Sequence, residues 1–105
     1  MSRHRIEFTR RARAQIRSLF SYIAQDNPAA AQKMLDHIEV RIRRLADMPE
    51  LGVELTEQEY PFLMPGYRRL LVRPYLVYYR VTDGVVYITH IVHARQNQQS
   101  ALKSQ

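Results

Sequence analysis

Two apolar runs near the end of the chain, "YLVYYRVT" over 75–82 and "VVYITHIV" over 85–92, are separated only by Asp83 and Gly84. An Asp-Gly pair between alternating strands signals a type I′ hairpin, because both central residues must take positive φ. The turn fixes a register: Thr82 opposes Val85, Val81 opposes Val86 and Arg80 opposes Tyr87. Cross-strand partners share a face. Strict alternation therefore assigns Tyr75, Val77, Tyr79, Val81, Val86, Ile88, His90 and Val92 to one face. The other receives Leu76, Tyr78, Arg80, Thr82, Val85, Tyr87, Thr89 and Ile91, with His93 and Arg95 continuing it if the strand runs on. The first face is the more apolar and is expected against the core. The second gathers arginine, tyrosine and histidine on an open surface.

The rest of the chain supplies what this hairpin packs on. "RHRIEF" over 3–8 alternates, with His4, Ile6 and Phe8 on one side, and reads as a half-buried strand. Thr9 is placed to cap a helix over 10–25, in which Ile16, Leu19, Phe20 and Ile23 recur at helical spacing. "DNP" at 26–28 ends that helix and starts the next, since the residue before a proline avoids helical geometry and proline suits a first helical turn. Ala31, Met34, Leu35, Ile38, Ile42 and Leu45 form the second apolar stripe, with Pro49 beyond its end. Two amphipathic helices joined so tightly predict an antiparallel αα-hairpin. Residues 49–66, rich in proline and acids, read as a long connection with one short strand near Val53–Leu55, and length of that kind hints at function. "YRRLLV" at 67–72 is a further strand. The sum is an α+β fold, β-α-α-β-β-β, with a twisted, mostly antiparallel sheet and the αα-hairpin on one face. One domain is expected over 1–96, with a polar tail over 97–105, "NQQSALKSQ".

Charge narrows the partners. The net charge of +6 is distributed unevenly: residues 1–45 hold ten Lys+Arg against four acids, and residues 66–105 hold six against one. Five acids, Asp47, Glu50, Glu54, Glu57 and Glu59, crowd into the stretch between. A basic body of this kind invites an acidic or polyanionic partner. There is no cysteine, so disulfide and thiolate chemistry are excluded. No run approaches the roughly 20 apolar residues of a membrane span, and a cytoplasmic protein is the simplest expectation.

The residues able to carry chemistry lie mostly on the open face. Cleavage of RNA through the ribose 2′-hydroxyl needs a base, an acid and cations for the developing phosphorane charge. His93 is a candidate acid or base, Arg68, Arg80 and Arg95 candidate phosphate ligands, and Tyr78 and Tyr87 candidate stacking or proton-relay residues. The same residues are equally those of a half-exposed sheet edge. The histidines at 4, 37, 90 and 93 show no helical HxxxH spacing, so no metal or other cofactor is expected, and His90 reads as a satisfied core histidine. With three glycines the chain holds no glycine-rich phosphate loop.

Four stretches, "YIAQDNPAAAQKMLDHI" at 22–38, "RLADMPELG" at 44–52, "GYRRLLVRPYLVYYRV" at 66–81 and "ITHIVHARQ" at 88–96, resemble in order and spacing the RelE/ParE toxin superfamily. The DNP turn, "GYR" and the "HARQ" ending are most similar to its ParE branch. The resemblance implies a toxin of a type II toxin–antitoxin pair of the kind encoded on plasmids and chromosomes. It would inhibit DNA gyrase and be neutralised by a cognate antitoxin with an acidic C-terminal segment. The alternative it implies is a RelE-like mRNA endonuclease acting on the ribosome, and a third reading is an inactivated toxin kept as a binding module. For the nuclease, Arg68 matches one basic position of the strand after the long loop, but its alternate neighbour is Leu70. Where such nucleases carry an arginine early on the next strand, Tyr75 or Leu76 stands here, and Arg95 matches an arginine near the end of the last strand. No aromatic follows Tyr87 to match their C-terminal tyrosine. The expected target surface is thus Arg68, Tyr78, Arg80, Tyr87, His93 and Arg95. Arg10, Arg13 and Arg17 and the open sheet face are expected to meet the antitoxin.

Overall fold

A computed structural model describes residues 3–63 and 65–96; the expected tail over 97–105 lies outside the described residues. β1 (Arg5–Phe8) leads into α1 (Arg10–Ala24) and α2 (Pro28–Arg43), which ends in a 3₁₀ turn over Arg44–Ala46. Four strands follow: β2 (Val53–Glu54), β3 (Tyr67–Val72), β4 (Tyr75–Thr82) and β5 (Val85–His93). The sheet runs β1-β5-β4-β3-β2, antiparallel except where β1 lies parallel to β5. The α+β fold with an αα-hairpin on one face is as the sequence predicts.

Both helix starts follow from their capping residues. Thr9 is extended, and its Oγ1 accepts the Ala12 N–H at 3.2 Å. Asn27 does the same for Ala30 at 3.0 Å, with Pro28 opening α2. Asp83 (φ 50°) and Gly84 (φ 77°) make the expected hairpin, and Thr82, Val81 and Arg80 face Val85, Val86 and Tyr87.

Beyond that point strict alternation fails. Tyr79 pairs with Ile88 but Tyr78 pairs with His90, so Thr89 is an extra residue in β5, a β-bulge. A one-residue insertion moves every later side chain to the opposite face. Val77 now faces Ile91, Leu76 faces Val92 and Tyr75 faces His93. The faces assigned from parity are therefore corrected for the end of β5: Ile91 and His93 lie on the helix side, and His90 and Val92 on the other.

Nor is that other face open. The helix-side core packs Ile38, Ile42, Leu45, Leu70, Val72, Val77, Tyr79, Val86, Ile88 and Ile91 beneath α1 and α2. A second, smaller core joins Tyr67, Leu76, Tyr78 and Val92 to Leu55, Tyr60, Phe62 and Leu63 of the long connection, which folds back over the sheet. Tyr60 stands edge-on to Tyr78 with ring centroids 6.4 Å apart, and its hydroxyl accepts from Arg69 Nη1 at 2.9 Å.

The start of the connection is pinned by one tyrosine. The Tyr79 hydroxyl donates to the Pro49 carbonyl and accepts the Gly52 N–H, each at 2.8 Å, in a buried position. A Cβ on Gly52 would stand 2.7 Å from that oxygen, which requires glycine there. Tyr79→Phe leaves two backbone groups without their partner. It is expected to lower stability by about 1–3 kcal/mol, read as a fall in the urea midpoint at unchanged m-value.

Candidate functional site

The bulge has a chemical anchor. Thr89 Oγ1 donates to the Tyr78 carbonyl at 3.2 Å and lies 2.8 Å from His90 Nδ1. A hydroxyl has one proton, so with it given to the carbonyl, Oγ1 accepts from Nδ1–H. His90 is 1% exposed and stands near the Tyr67 and Tyr78 rings, at 6.3 and 6.1 Å. Burial, helped by the charge of Arg11, pushes its pKa down to about 4. It is buried, as expected, but in the layer under the connection and not against the helices.

On the helix side, β5 outruns its neighbour. β1 ends opposite Ile88, so Thr89–His93 has no strand on its outer side. Side chains serve that edge instead. Thr9 Oγ1 donates to the Thr89 carbonyl at 3.3 Å, and Gln15 Oε1 accepts the Ile91 N–H at 2.7 Å. Gln96 Oε1 accepts the His93 N–H at 2.8 Å, while the Gln96 N–H returns to the His93 carbonyl at 3.0 Å. Between this edge and α1 runs a groove of about 1100 Å³. Ala14, Leu19, Tyr22, Ile91 and Val92 supply its apolar lining, and Arg10, Arg11, Gln15, His93 and Gln96 its polar rim. Tyr22 is 76% exposed, the most exposed of the large apolar side chains among the described residues.

The six residues expected to form one target surface are distributed over several places. Arg68 lies on the helix side, opposite Tyr79, and its Nη1 donates to the Gly52 carbonyl at 2.8 Å, bracing the connection. Tyr78 is fully buried under the connection, and burial with the neighbouring Tyr60 raises its pKa to about 12. It therefore offers neither a stacking platform nor a proton relay. Arg80 rests over the Tyr67 ring at 5.6 Å and donates to the Pro65 carbonyl at 3.4 Å, with the partly exposed Tyr87 opposite it. His93 is edge-on to Tyr75 at 5.5 Å, and its Nδ1 accepts the Arg95 N–H at 3.0 Å. Arg95 is exposed in the turn that follows. Along the sheet, His93 (opposite Tyr75) and Arg68 (opposite Tyr79) are four β4 residues and two strand spacings apart, about 13 Å by about 10 Å. They do not converge on one phosphate.

The three α1 arginines are all exposed on the outward side of the helix but have different neighbours. Arg10 borders the groove; Arg13 lies toward α2, donating to the Phe8 carbonyl at 3.4 Å; Arg17 is on the outward crest. Sequence reasoning missed Arg11, Gln15, Tyr22 and Gln96. Of these only Tyr22 left a signal, an aromatic outside the apolar stripe of α1.

The family described as "ParE toxin of type II toxin-antitoxin system, parDE" matches residues 6–98. The chain is 35% identical over 89 residues to Toxin RelE2 of Caulobacter vibrioides, covering 85% of this chain and 93% of that protein. The fold resembles a chain of the chromosomal ParDE toxin–antitoxin system from P. aeruginosa, with TM-score 0.69 and 22% identity over 86% of this chain and 95% of that one. It also resembles a chain of the RelBE2 toxin–antitoxin complex from Mycobacterium tuberculosis, with TM-score 0.61 and 20% identity over 89% and 93%.

The pKa of His90 makes stability depend on pH in a definite direction. The folded value, about 4, lies below the unfolded value of 6.5, so the unfolded state binds the proton first. The stabilisation is fully present above about pH 6.5 and is lost as pH falls through about 4, a difference of about 3 kcal/mol. Unfolding free energies of wild type and His90→Gln, measured from pH 7.5 to 4, are expected to converge as pH falls.

Proposed function

Because the chain belongs to the ParE toxin family of type II toxin–antitoxin systems, we propose that it acts as a gyrase inhibitor held in check by a cognate antitoxin. The observation that carries the choice of target is the separation of the nuclease-like residues. Arg68 braces the connection and Tyr78 is buried, while His93 faces the α1 groove, whose lining holds Arg10 and Arg11 but no second histidine and no carboxylate; the expected nuclease residues share no pocket. Cleavage of a phosphodiester needs those groups within hydrogen-bond reach of one centre. Docking onto a large enzyme needs only surface. Such a target puts the chain at work in the cytoplasm; among the described residues no helix is long and apolar enough to cross a membrane.

The groove between α1 and the outer edge of β5 suits the antitoxin. It offers an apolar floor for an amphipathic segment, a rim of Arg10, Arg11 and His93 for acidic side chains, and a strand edge for backbone pairing. An arriving strand displaces the Gln15 and Gln96 amides and makes the same hydrogen bonds with its own backbone. Antitoxin contact therefore involves this groove and Arg10, with Arg13 and Arg17 outside it.

A supercoiling assay with purified gyrase tests the target. The chain is expected to block supercoiling or stabilise cleaved DNA, and His93→Ala to lower potency less than about tenfold. Cut ribosome-bound mRNA with intact supercoiling, and a loss of about 10²-fold or more in His93→Ala, would establish acid–base catalysis instead. For the groove, Ala14→Trp fills it from an exposed helix position. The variant is expected to lower antitoxin affinity at least about tenfold by calorimetry, with an unchanged melting temperature.

A further inference from the structure

α1 holds four arginines and no acid in its fifteen residues. Arg10, Arg11 and Arg13 stand at the end where the helix dipole favours negative charge, so the helix alone gives no reason for them. Arg10, Arg13 and Arg17 are exposed along the outward face, and among the described residues none of the three is in an ion pair, unlike Arg3, Arg5 and Arg43. Beside them on that face stand Ala14, Ser18 and Ser21, all exposed. Small side chains let another surface approach the helix closely, and serine hydroxyls donate to phosphate as readily as they do to water.

We propose that this crest of α1 binds the phosphate backbone of duplex DNA, through Arg10, Arg13 and Arg17 with Ser18 and Ser21. From residue 10 to residue 17 the helix rises about 10 Å. Long guanidinium side chains spread over that distance can reach successive phosphates of one DNA strand. An acidic protein segment fits the crest less well. Segments that fold on binding need apolar surface to bury, and the large apolar side chains near α1, Leu19, Tyr22, Ile91 and Val92, lie in the groove on its flank, with only Ala14 among these arginines. The crest adjoins the groove, sharing Arg10, Ala14 and Ser18 along its border, while Arg13, Arg17 and Ser21 lie outside it; the DNA contact goes beyond the toxin–antitoxin reading. It gives a protein that acts on an enzyme–DNA complex a hold on the DNA itself.

Fluorescence anisotropy with the full chain and a labelled duplex of about 20 base pairs tests this. Each phosphate contact adds about 0.9 to the slope of log affinity against log salt. Arg13→Gln with Arg17→Gln, both outside the groove, is expected to flatten that slope by about 1.8 and to leave antitoxin affinity unchanged. Lys33→Gln with Arg43→Gln removes the same charge from α2 and is expected to keep the slope. The proposal is overturned if the duplex does not bind or if both double variants lose it equally, which marks diffuse charge. It is also overturned if the α1 variant loses antitoxin and not DNA, which marks an acidic-peptide site. Exposed positions on both helices make misfolding a minor concern, and far-ultraviolet circular dichroism checks it.

Discussion

The extra residue at Thr89 decides what every later side chain of β5 can touch. Its hydroxyl, shared between the Tyr78 carbonyl and His90, satisfies the backbone where the ladder is interrupted. The inserted residue sends Ile91 and His93 toward α1 and seats His90 and Val92 under the connection. Without the bulge, His90 would enter the helix-side core, away from Tyr67 and Tyr78, and Ile91 would leave that core. A neutral buried histidine and an apolar groove floor thus share one origin.

The folded-back connection is the second constraint. It is attached at one end by Tyr79 and Arg68 and in the middle by Tyr60 over Tyr78. Arg68, Arg80 and Tyr78, which suit a nuclease by type, are thereby given structural tasks. What stays accessible is an apolar groove with a basic rim and a strand edge whose hydrogen bonds are held by glutamine amides. Such a surface favours recognition of another macromolecule over chemistry on a small reacting group.

Much of this was readable from residues acting locally. Thr9, Asn27-Pro28 and Asp83-Gly84 each dictate geometry within a few residues, and they placed both helices and the hairpin register. The parallel pairing of β1 with β5 joins opposite ends of the chain and depends on packing that no short pattern reports. The bulge did leave a trace: Ile88 and Ile91, three apart, cannot both face a core under strict alternation, and His90 would then be the buried one. The connection left another in the apolar "YPFL" within its acidic stretch. As a connection with one short strand the stretch gave those side chains nothing to cover, and the open face expected from parity followed from both gaps. Residues such as Gln15 and Gln96 carry no signal, because an amide on a polar helix face or after a strand is ordinary until the unpaired edge beside it is known.

If the groove beside the bulge is where the antitoxin docks, the backbone there must change its exposure to solvent on binding. Amide hydrogen exchange of the chain, free and with its antitoxin, measures this directly. The account predicts new protection at 89–93 on the outer edge of β5 and along the flank of α1 from Arg10 to Tyr22. Protection confined to the β2–β3 edge and the connection over 55–63, with 89–93 exchanging as in the free chain, would contradict it.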